Sequence, residues 1–316
     1  MKIVFMGTPD FAVASLRAIC EAGHEVAAVV TVPDRQTGRG LKITESAVKQ
    51  YALEKGLTVL QPERLRDETF QERLRAFGAQ LFVVVAFRML PQSVWAMPPM
   101  GTFNLHASLL PQYRGAAPIN WALINGEQET GVTTFLLNEH IDEGAILMQE
   151  STPIADNDNV ESLHDRLASM GSNLVLRTIE GLEQGTLRPM PQPTVDPAQI
   201  KPAPKIFKAD CAIDWTKSGR EICNFVRGLS PYPAATMQLE DTQNEIHSFK
   251  IFDVEYEPFA GAKTPSGMLL ANQKNELKVS VIDGFVRIKC LQMSGKRKVT
   301  TEEFLRGYFV SNWKLV

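Results

Sequence analysis

The 316-residue chain has only four cysteines, Cys20, Cys211, Cys223 and Cys290, and none forms a C-x-x-C pair with another. That spacing gives no support to a zinc knuckle or a dithiol redox motif. The expectation is four reduced thiols in a cytoplasmic protein. Long hydrophobic runs are missing as well. The longest strongly apolar stretch near the middle, LFVVVAF at residues 81–87, is far too short to span a bilayer and fits a buried parallel strand. The chain opens directly into the strand-like KIVFM, without a signal-peptide layout, so a cytoplasmic location with no membrane partner is expected.

Three glycine-dependent motifs are also absent. The first turn, MGTPDF, carries the single glycine Gly7, whereas a dinucleotide fingerprint needs three, for the turn and the close pyrophosphate approach. No G-x-x-x-x-G-K-[ST] is present, which disfavours nucleotide hydrolysis, and no G-x-S-x-G elbow, which disfavours an α/β-hydrolase. His140 stands two residues before Asp142 but has no second histidine at a ligand spacing, so no metal is expected.

What is present is an ordinary globular composition, 44% hydrophobic and 22% charged, with a formal net charge of −3. The total does not suggest nucleic acid, but its distribution is uneven. Residues 188–316 hold 18 Lys and Arg against 14 Asp and Glu, a net of +4, and the preceding residues carry a net of −7. Such an offset is compatible with a polyanion bound mainly by the second half.

Over the first 185 residues strands alternate with helices. KIVFM, EVAAVVTV, TVLQP, LFVVVAF, GTFNL, TGVTTFLL and AILMQE supply strands. PDFAVASLRAICEAG, ESAVKQYALEKG, DETFQERLRAFG (capped by Asp67) and the long stretch NVESLHDRLASMGSNLVLRTIEGLEQG supply helices. This is the grammar of an α/β, Rossmann-like, mostly parallel sheet domain covered on both faces. Residues 188–205 contain six prolines and predict an extended, semi-rigid linker. One helix, KSGREICNFVRGL, follows, and then several short β segments, which fits a small OB-like β-barrel. The expected organisation is a catalytic domain over 1–187, a linker over 188–205 and a barrel domain over 206–316.

The most informative stretch is NLHASLLPQYRGAAPINW, residues 104–121. On an extended strand the Asn104 carboxamide and the His106 imidazole face the same way, and the apolar TFNL before them predicts a strand ending at Asn104. Strand ends in an α/β sheet are where ligands bind. Asp142, in HIDEGA, lies 36 residues beyond His106 and could orient or charge the ring. Asn104 and protonated His106 could donate hydrogen bonds to the oxyanion of an acyl transfer while Asp142 stabilises the imidazolium. An Asn-x-His pair at a strand end is about as often structural, and an Asp before Gly is usually a turn residue.

The complete string, Asn104, His106, Ser108, Leu109, Leu110, Pro111, Arg114 and Gly115 followed by Asp142, resembles the formyltransferases that use 10-formyl-tetrahydrofolate. The resemblance covers nearly the whole chain. MGTPDFAVASL, PDRQTGRGLK, KPAPKIFK, IDW and GLSPYPAA make it closest to the members that formylate the methionine of initiator methionyl-tRNA. The resemblance implies Asn104, His106 and Asp142 as catalytic residues. It implies Ser108, Leu109, Leu110 and Pro111 as the folate-binding loop, and Phe87, Arg88, Met89 and Leu90 as lining the pterin pocket. The basic loop after the second strand, with Arg35, Arg39 and Lys42, is implied to meet the tRNA acceptor stem. Lys205 and Lys208 at the linker end and Lys296, Arg297 and Lys298 near the C-terminus are further tRNA candidates, and a monomer is expected.

Two alternatives stay open: a glycinamide ribonucleotide or nucleotide-sugar formyltransferase, and a non-catalytic folate- or tRNA-binding module. After Ile141-Asp142 many relatives have Thr-Gly-Asp, whereas this chain has Glu143-Gly144-Ala145, which shifts a nearby second carboxylate.

Overall fold

The computed structural model describes residues 1–37, 42–259, 264–272 and 274–316. The chain divides into two compact units. The first comprises Met1–Pro118, Glu129–Pro153 and His164–Pro202; the second comprises Ile119–Gln128, Ile154–Leu163 and Ala203–Val316.

The elements of the first half run, in order, β1 (Lys2–Gly7), α1 (Asp10–Glu21), β2 (Glu25–Val30), β3 (Arg35–Thr37), β4 (Lys42–Thr44), α2 (Ala47–Glu54) and β5 (Val59–Leu60). After these come α3 (Glu68–Ala76), β6 (Leu81–Val85), α4 (Gln92–Trp95), β7 (Thr102–His106), α5 (Pro118–Ile124), β8 (Glu129–Leu136), β9 (Ile146–Pro153) and α6 (Val160–Glu183). Seven strands form one sheet in the order β5-β2-β1-β6-β7-β8-β9. The first five are mutually parallel, β8 runs antiparallel to β7, and β9 runs antiparallel to β8.

Both faces of the central strands are buried, because the strands carry unbroken apolar runs. Val4, Met6, Val84 and Phe82 pack with Phe70 and Leu74 of α3 on one side, while Ile3, Phe5 and Val83 are equally buried on the other. Helix starts follow their caps. Ser46 accepts from the Lys49 amide before α2, and Asp67 accepts from the Phe70 amide before α3.

Three details differ from the sequence expectation. The Asn104 strand does not end at Asn104 but runs to His106, since the Asn104–His106 segment still pairs with β8. Within the segment expected as a basic loop, Arg35–Thr37 and Lys42–Thr44 pair antiparallel as β3 and β4, and the Asp34 carboxylate lies just before β3. That carboxylate receives the Lys49 ammonium at 2.5 Å and the Gln61 amide at 2.8 Å, which hold it below the usual carboxylate range. The proline-rich stretch is not featureless either. Met190 bridges Ile146, and Pro197–Gln199 is a single 3-10 turn.

In the second unit α7 (Gly219–Leu229) is followed by β10 (Ala235–Glu240), β11 (Ile246–Pro258), β12 (Leu269–Asn272), β13 (Glu276–Ser280), β14 (Gly284–Met293), β15 (Val299–Thr300), α8 (Thr301–Leu305) and β16 (Lys314–Leu315). A reciprocal Ser218–Glu221 capping box starts α7. The strands make an antiparallel, nearly closed barrel in the order β12-β13-β14-β11-β10-β16, with β15 paired to β14. Its core holds Ile222, Val226, Met237, Phe249, Ile251, Val279, Ile288, Leu291 and Phe304.

Candidate active site

Strand β7 delivers the two residues singled out from the sequence. Asn104 stands opposite Val84 of β6 and Phe135 of β8, and His106 stands opposite Thr133. The Asn104 carboxamide is half-buried and makes no hydrogen bond to another described residue. The His106 ring is almost fully buried, with one edge committed. Its Nε2 lies 2.8 Å from the Tyr113 carbonyl oxygen. A carbonyl can only accept, so Nε2 carries a proton and donates it there. Nδ1 is then the nitrogen that remains for chemistry.

Nδ1 faces Asp142, whose Oδ2 is 3.9 Å away, close enough for an ion pair with a charged ring but too far for a hydrogen bond. The same Oδ2 accepts the Gly115 amide at 3.0 Å. The structure therefore brings His106 and Asp142 together across 36 residues of sequence, with the Gly115 amide holding the same carboxylate oxygen.

The loops that hold these groups adopt unusual backbone. Tyr113, at φ +61, and Asp142, at φ +54, are left-handed, and Gly115 follows at φ +124. Strained positions of this kind persist only where surrounding contacts over-determine them. Beyond Asp142 the chain passes so close to β8 that a Cβ on Gly144 would lie 1.6 Å from the Leu136 carbonyl oxygen. Glycine is therefore required in the Glu143-Gly144-Ala145 segment.

The Ser108–Pro111 loop is fastened from beneath. Thr133 Oγ1 donates to the Ser108 carbonyl at 2.6 Å and accepts from the Gln149 amide at 2.9 Å, which also donates to the Leu110 carbonyl at 2.9 Å. The Ser108 hydroxyl donates to the Gln112 carbonyl at 2.6 Å. Ser108, Leu110 and Pro111 are thus interior residues that shape the loop, and Leu109 is half-buried against Gly131.

Of the other proposed pocket residues, Leu90 is in the core, Phe87 packs beside it, and Met89 is exposed. The Arg88 guanidinium turns away to cap the backbone carbonyls of Pro62 and Glu63, where burial lowers its basicity. The preceding Ala86, exposed at φ +47, leaves open backbone at the end of β6.

Sequence reasoning did not find Gln149, Thr133, Tyr113 and Gln192. Gln192 lies in the proline-rich stretch. Its Nε2 donates to the carbonyls of Asp142 at 2.7 Å and Gly144 at 3.0 Å, and its Oε1 accepts from Arg114.

The basic candidates are placed separately. Arg35 is exposed at the start of β3 and Lys42 opens β4, while Arg39 lies outside the described residues. Lys205 and Lys208 are exposed, Lys205 with its ammonium over the Phe207 ring. Lys296, Arg297 and Lys298 are exposed on the turn between β14 and β15. Arg297 pairs with Glu303 at 3.0 Å and Lys298 sits over the Phe252 ring. Among the described residues one set of possible metal ligands converges, Asp241, Glu245 and His247, but the Asp241–His247 contact at 2.9 Å already satisfies that pair. No described helix is long and apolar enough to cross a membrane.

A family model described as formyl transferase matches residues 1–179, and one for the formyl transferase C-terminal domain matches residues 205–308. The chain belongs to the formyl transferase family. Methionyl-tRNA formyltransferase of Bacteroides thetaiotaomicron is 51% identical over 313 residues, covering 99% of this chain and 97% of that protein. The enzyme of the same name from Parabacteroides distasonis is 53% identical, covering 98% and 96%. Among solved structures, HypX from Aquifex aeolicus in complex with tetrahydrofolic acid superposes with a TM-score of 0.64 at 21% identity, over 99% of this formyl transferase chain and 48% of that one. An N-formyltransferase from Helicobacter canadensis, in complex with folinic acid and dTDP-3-aminofucose, gives the same TM-score over 95% and 100%. At such identity these two establish the shared fold.

Proposed function

We propose that this chain transfers the formyl group of 10-formyl-tetrahydrofolate to the amino group of the methionine carried by initiator tRNA, for translation initiation. The observation that carries the substrate is the full-length identity of 46–53% to relatives named methionyl-tRNA formyltransferase. The second unit, matched by the C-terminal domain model, supplies further surface on which a large acceptor can be held.

The residues fit a formyl donor. A half-buried carboxamide with no hydrogen-bond partner among the described residues stands two residues from a ring whose Nε2 is held and whose Nδ1 faces Asp142, at the end of the strand that pairs with β6. When bound, 10-formyl-tetrahydrofolate supplies an activated formyl carbon. Transfer makes one bond from the methionine nitrogen to that carbon and breaks one to the donor nitrogen. A proton leaves the amine and one reaches the leaving nitrogen, so no covalent enzyme intermediate is needed.

In this reading Asn104 donates its amide N–H to the formyl oxygen, where negative charge grows. His106 Nδ1 takes or shares the proton, and the Asp142 carboxylate balances the charge on the ring. Arg35, Arg39, Lys42, Lys205, Lys208, Lys296, Arg297 and Lys298 are read as the cations that meet tRNA phosphates. In this reading the enzyme works in the cytoplasm and as a monomer.

The test is a transfer assay that offers charged initiator tRNA against glycinamide ribonucleotide and a dTDP-amino sugar, each with 10-formyl-tetrahydrofolate. Preference for methionyl-tRNA by orders of magnitude in kcat/KM supports the reading. Equal or better use of a small amine contradicts it.

A further inference from the structure

The proline-rich stretch is tied at two places to the loops that carry His106 and Asp142. We propose that Met190–Lys201 is a positioning strap, in which Gln192 fixes the attitude of Asp142 and Lys201 fixes the Tyr113 carbonyl that orients His106. The inference rests on the catalytic reading given above.

The first tie is the Gln192 carboxamide, which is fully used. Its two N–H groups go to the Asp142 carbonyl at 2.7 Å and the Gly144 carbonyl at 3.0 Å. Its oxygen accepts Nη2 of Arg114 at 2.6 Å and Nε at 3.3 Å. Carbonyls only accept and a guanidinium only donates, so the amide has one possible orientation. Arg114 Nη1 continues to the Glu143 carboxylate at 2.8 Å. One side chain thus grips the backbone on both sides of Glu143 and joins it to the residue preceding Gly115, whose amide holds Asp142 Oδ2. That grip adds to the Gly115 bond in keeping the left-handed Asp142 at φ +54. Its carboxylate makes no direct bond to the ring at 3.9 Å, so its effect on His106 depends on where the loop holds it.

The second tie is backbone. The Tyr113 amide donates to the Lys201 carbonyl at 2.7 Å, and the Lys201 amide donates to Gln112 Oε1 at 2.8 Å. The residue so held presents its carbonyl, in the peptide that follows, to His106 Nε2. The composition suits the task. Pro189, Pro191 and Pro193 alternate with Met190 and Gln192, and a residue before proline is biased to extended backbone. Met190 keeps the N–H and C=O that pair with Ile146 at 2.8 and 2.7 Å. The Pro189–Pro193 part of the strap is therefore biased to extended chain, and Met190 and Gln192 between its prolines make ties there.

The test uses the full-length protein with Gln192→Ala and Gln192→Glu, each alone and combined with Asp142→Asn. Formyl transfer to methionyl-tRNA is followed in single turnover across pH, with KM for both substrates. Gln192→Ala is expected to lower the rate about 10- to 100-fold, the scale of a misplaced catalytic group, with both KM values near wild type and an altered pH profile. Gln192→Glu keeps the Arg114 contact but sets a carboxylate against two carbonyls, and is expected to be at least as slow. In the Asp142→Asn background Gln192→Ala should cost less than about twofold, because residues that act as one unit are not additive. An undiminished further loss in that background, or wild-type rate in the Gln192→Glu variant, overturns the strap alone. A wild-type rate for Asp142→Asn itself overturns the catalytic reading and the strap with it.

Discussion

The carbonyl of Tyr113 lies 2.8 Å from Nε2 of His106 and fixes a proton on that nitrogen. The opposite nitrogen is thereby turned toward Asp142. A backbone group in a left-handed turn, and not a side chain, decides which edge of the ring is available. That explains how one strand-end histidine can serve as an acid–base group while being almost fully buried.

His106→Ala should therefore slow formyl transfer by about 10²- to 10⁴-fold, the usual contribution of a positioned acid–base group. Asn104→Ala should cost about 10²- to 10³-fold, as for loss of one oxyanion donor. Single-turnover rates on variants with wild-type melting temperatures measure both. A rate close to wild type removes that residue from the mechanism.

Asp142→Asn keeps an oxygen for the Gly115 amide and so should keep the loop. It removes the negative charge opposite Nδ1. Transfer should fall nearly to background while folate affinity stays unchanged, measurable by fluorescence titration. An unchanged pH–rate profile at wild-type rate would contradict the role given to the carboxylate.

The placement of Asn104 and His106 two residues apart on one strand was legible in the sequence because of the period of a strand, and the approach of Asp142 to the ring was open to expectation because an imidazole suits a carboxylate partner. The sheet was legible for a related reason: LFVVVAF and KIVFM are uninterrupted apolar runs, buried on both faces. Tyr113 and Lys201 were not legible, because they act through backbone groups that every residue type has. Gln192 escaped because its partners are 48–78 residues away and its prolines signal extended chain, whatever that chain touches. The β3–β4 pairing was missed for another reason: strands of three residues leave no periodicity to count.

Gly144→Ala should destabilise the protein by about 1–3 kcal/mol or more, since the added Cβ meets a backbone oxygen and no flexible side chain can yield. Urea denaturation of the variant beside wild type reads this directly. An unchanged midpoint would mean that the segment after Asp142 does not pass Leu136 so closely.

The thiols should be inert in the native state. Burial pushes Cys223 up to about 11 and raises Cys20, Cys211 and Cys290 as well. A raised thiol pKa keeps the neutral, unreactive form, so at pH 8 Cys223 is thiolate only about one part in a thousand. Iodoacetamide at pH 8 should modify the native protein slowly, the denatured protein quickly, and leave transfer activity intact in the former. Rapid stoichiometric alkylation with loss of activity would place a thiol at the site.

The basic turn of the second unit provides the last expectation. Lys296 and Lys298 are exposed cations, and Arg297 is partly offset by Glu303 at 3.0 Å. Cations that meet phosphates release condensed counterions, so affinity falls as salt rises, with a slope set by how many phosphates are neutralised. Replacing Lys296 and Lys298 with alanine should weaken use of methionyl-tRNA and flatten the dependence of log KM on log salt by about one for each phosphate no longer neutralised. KM for 10-formyl-tetrahydrofolate, which carries no phosphate, should change little. The Arg297→Ala change should have the smallest effect of the three, because its guanidinium already has a carboxylate partner. An unaltered salt slope in the double variant would mean that the turn is a solvated patch, and the net +4 of residues 188–316 would then have to act on the tRNA through other residues.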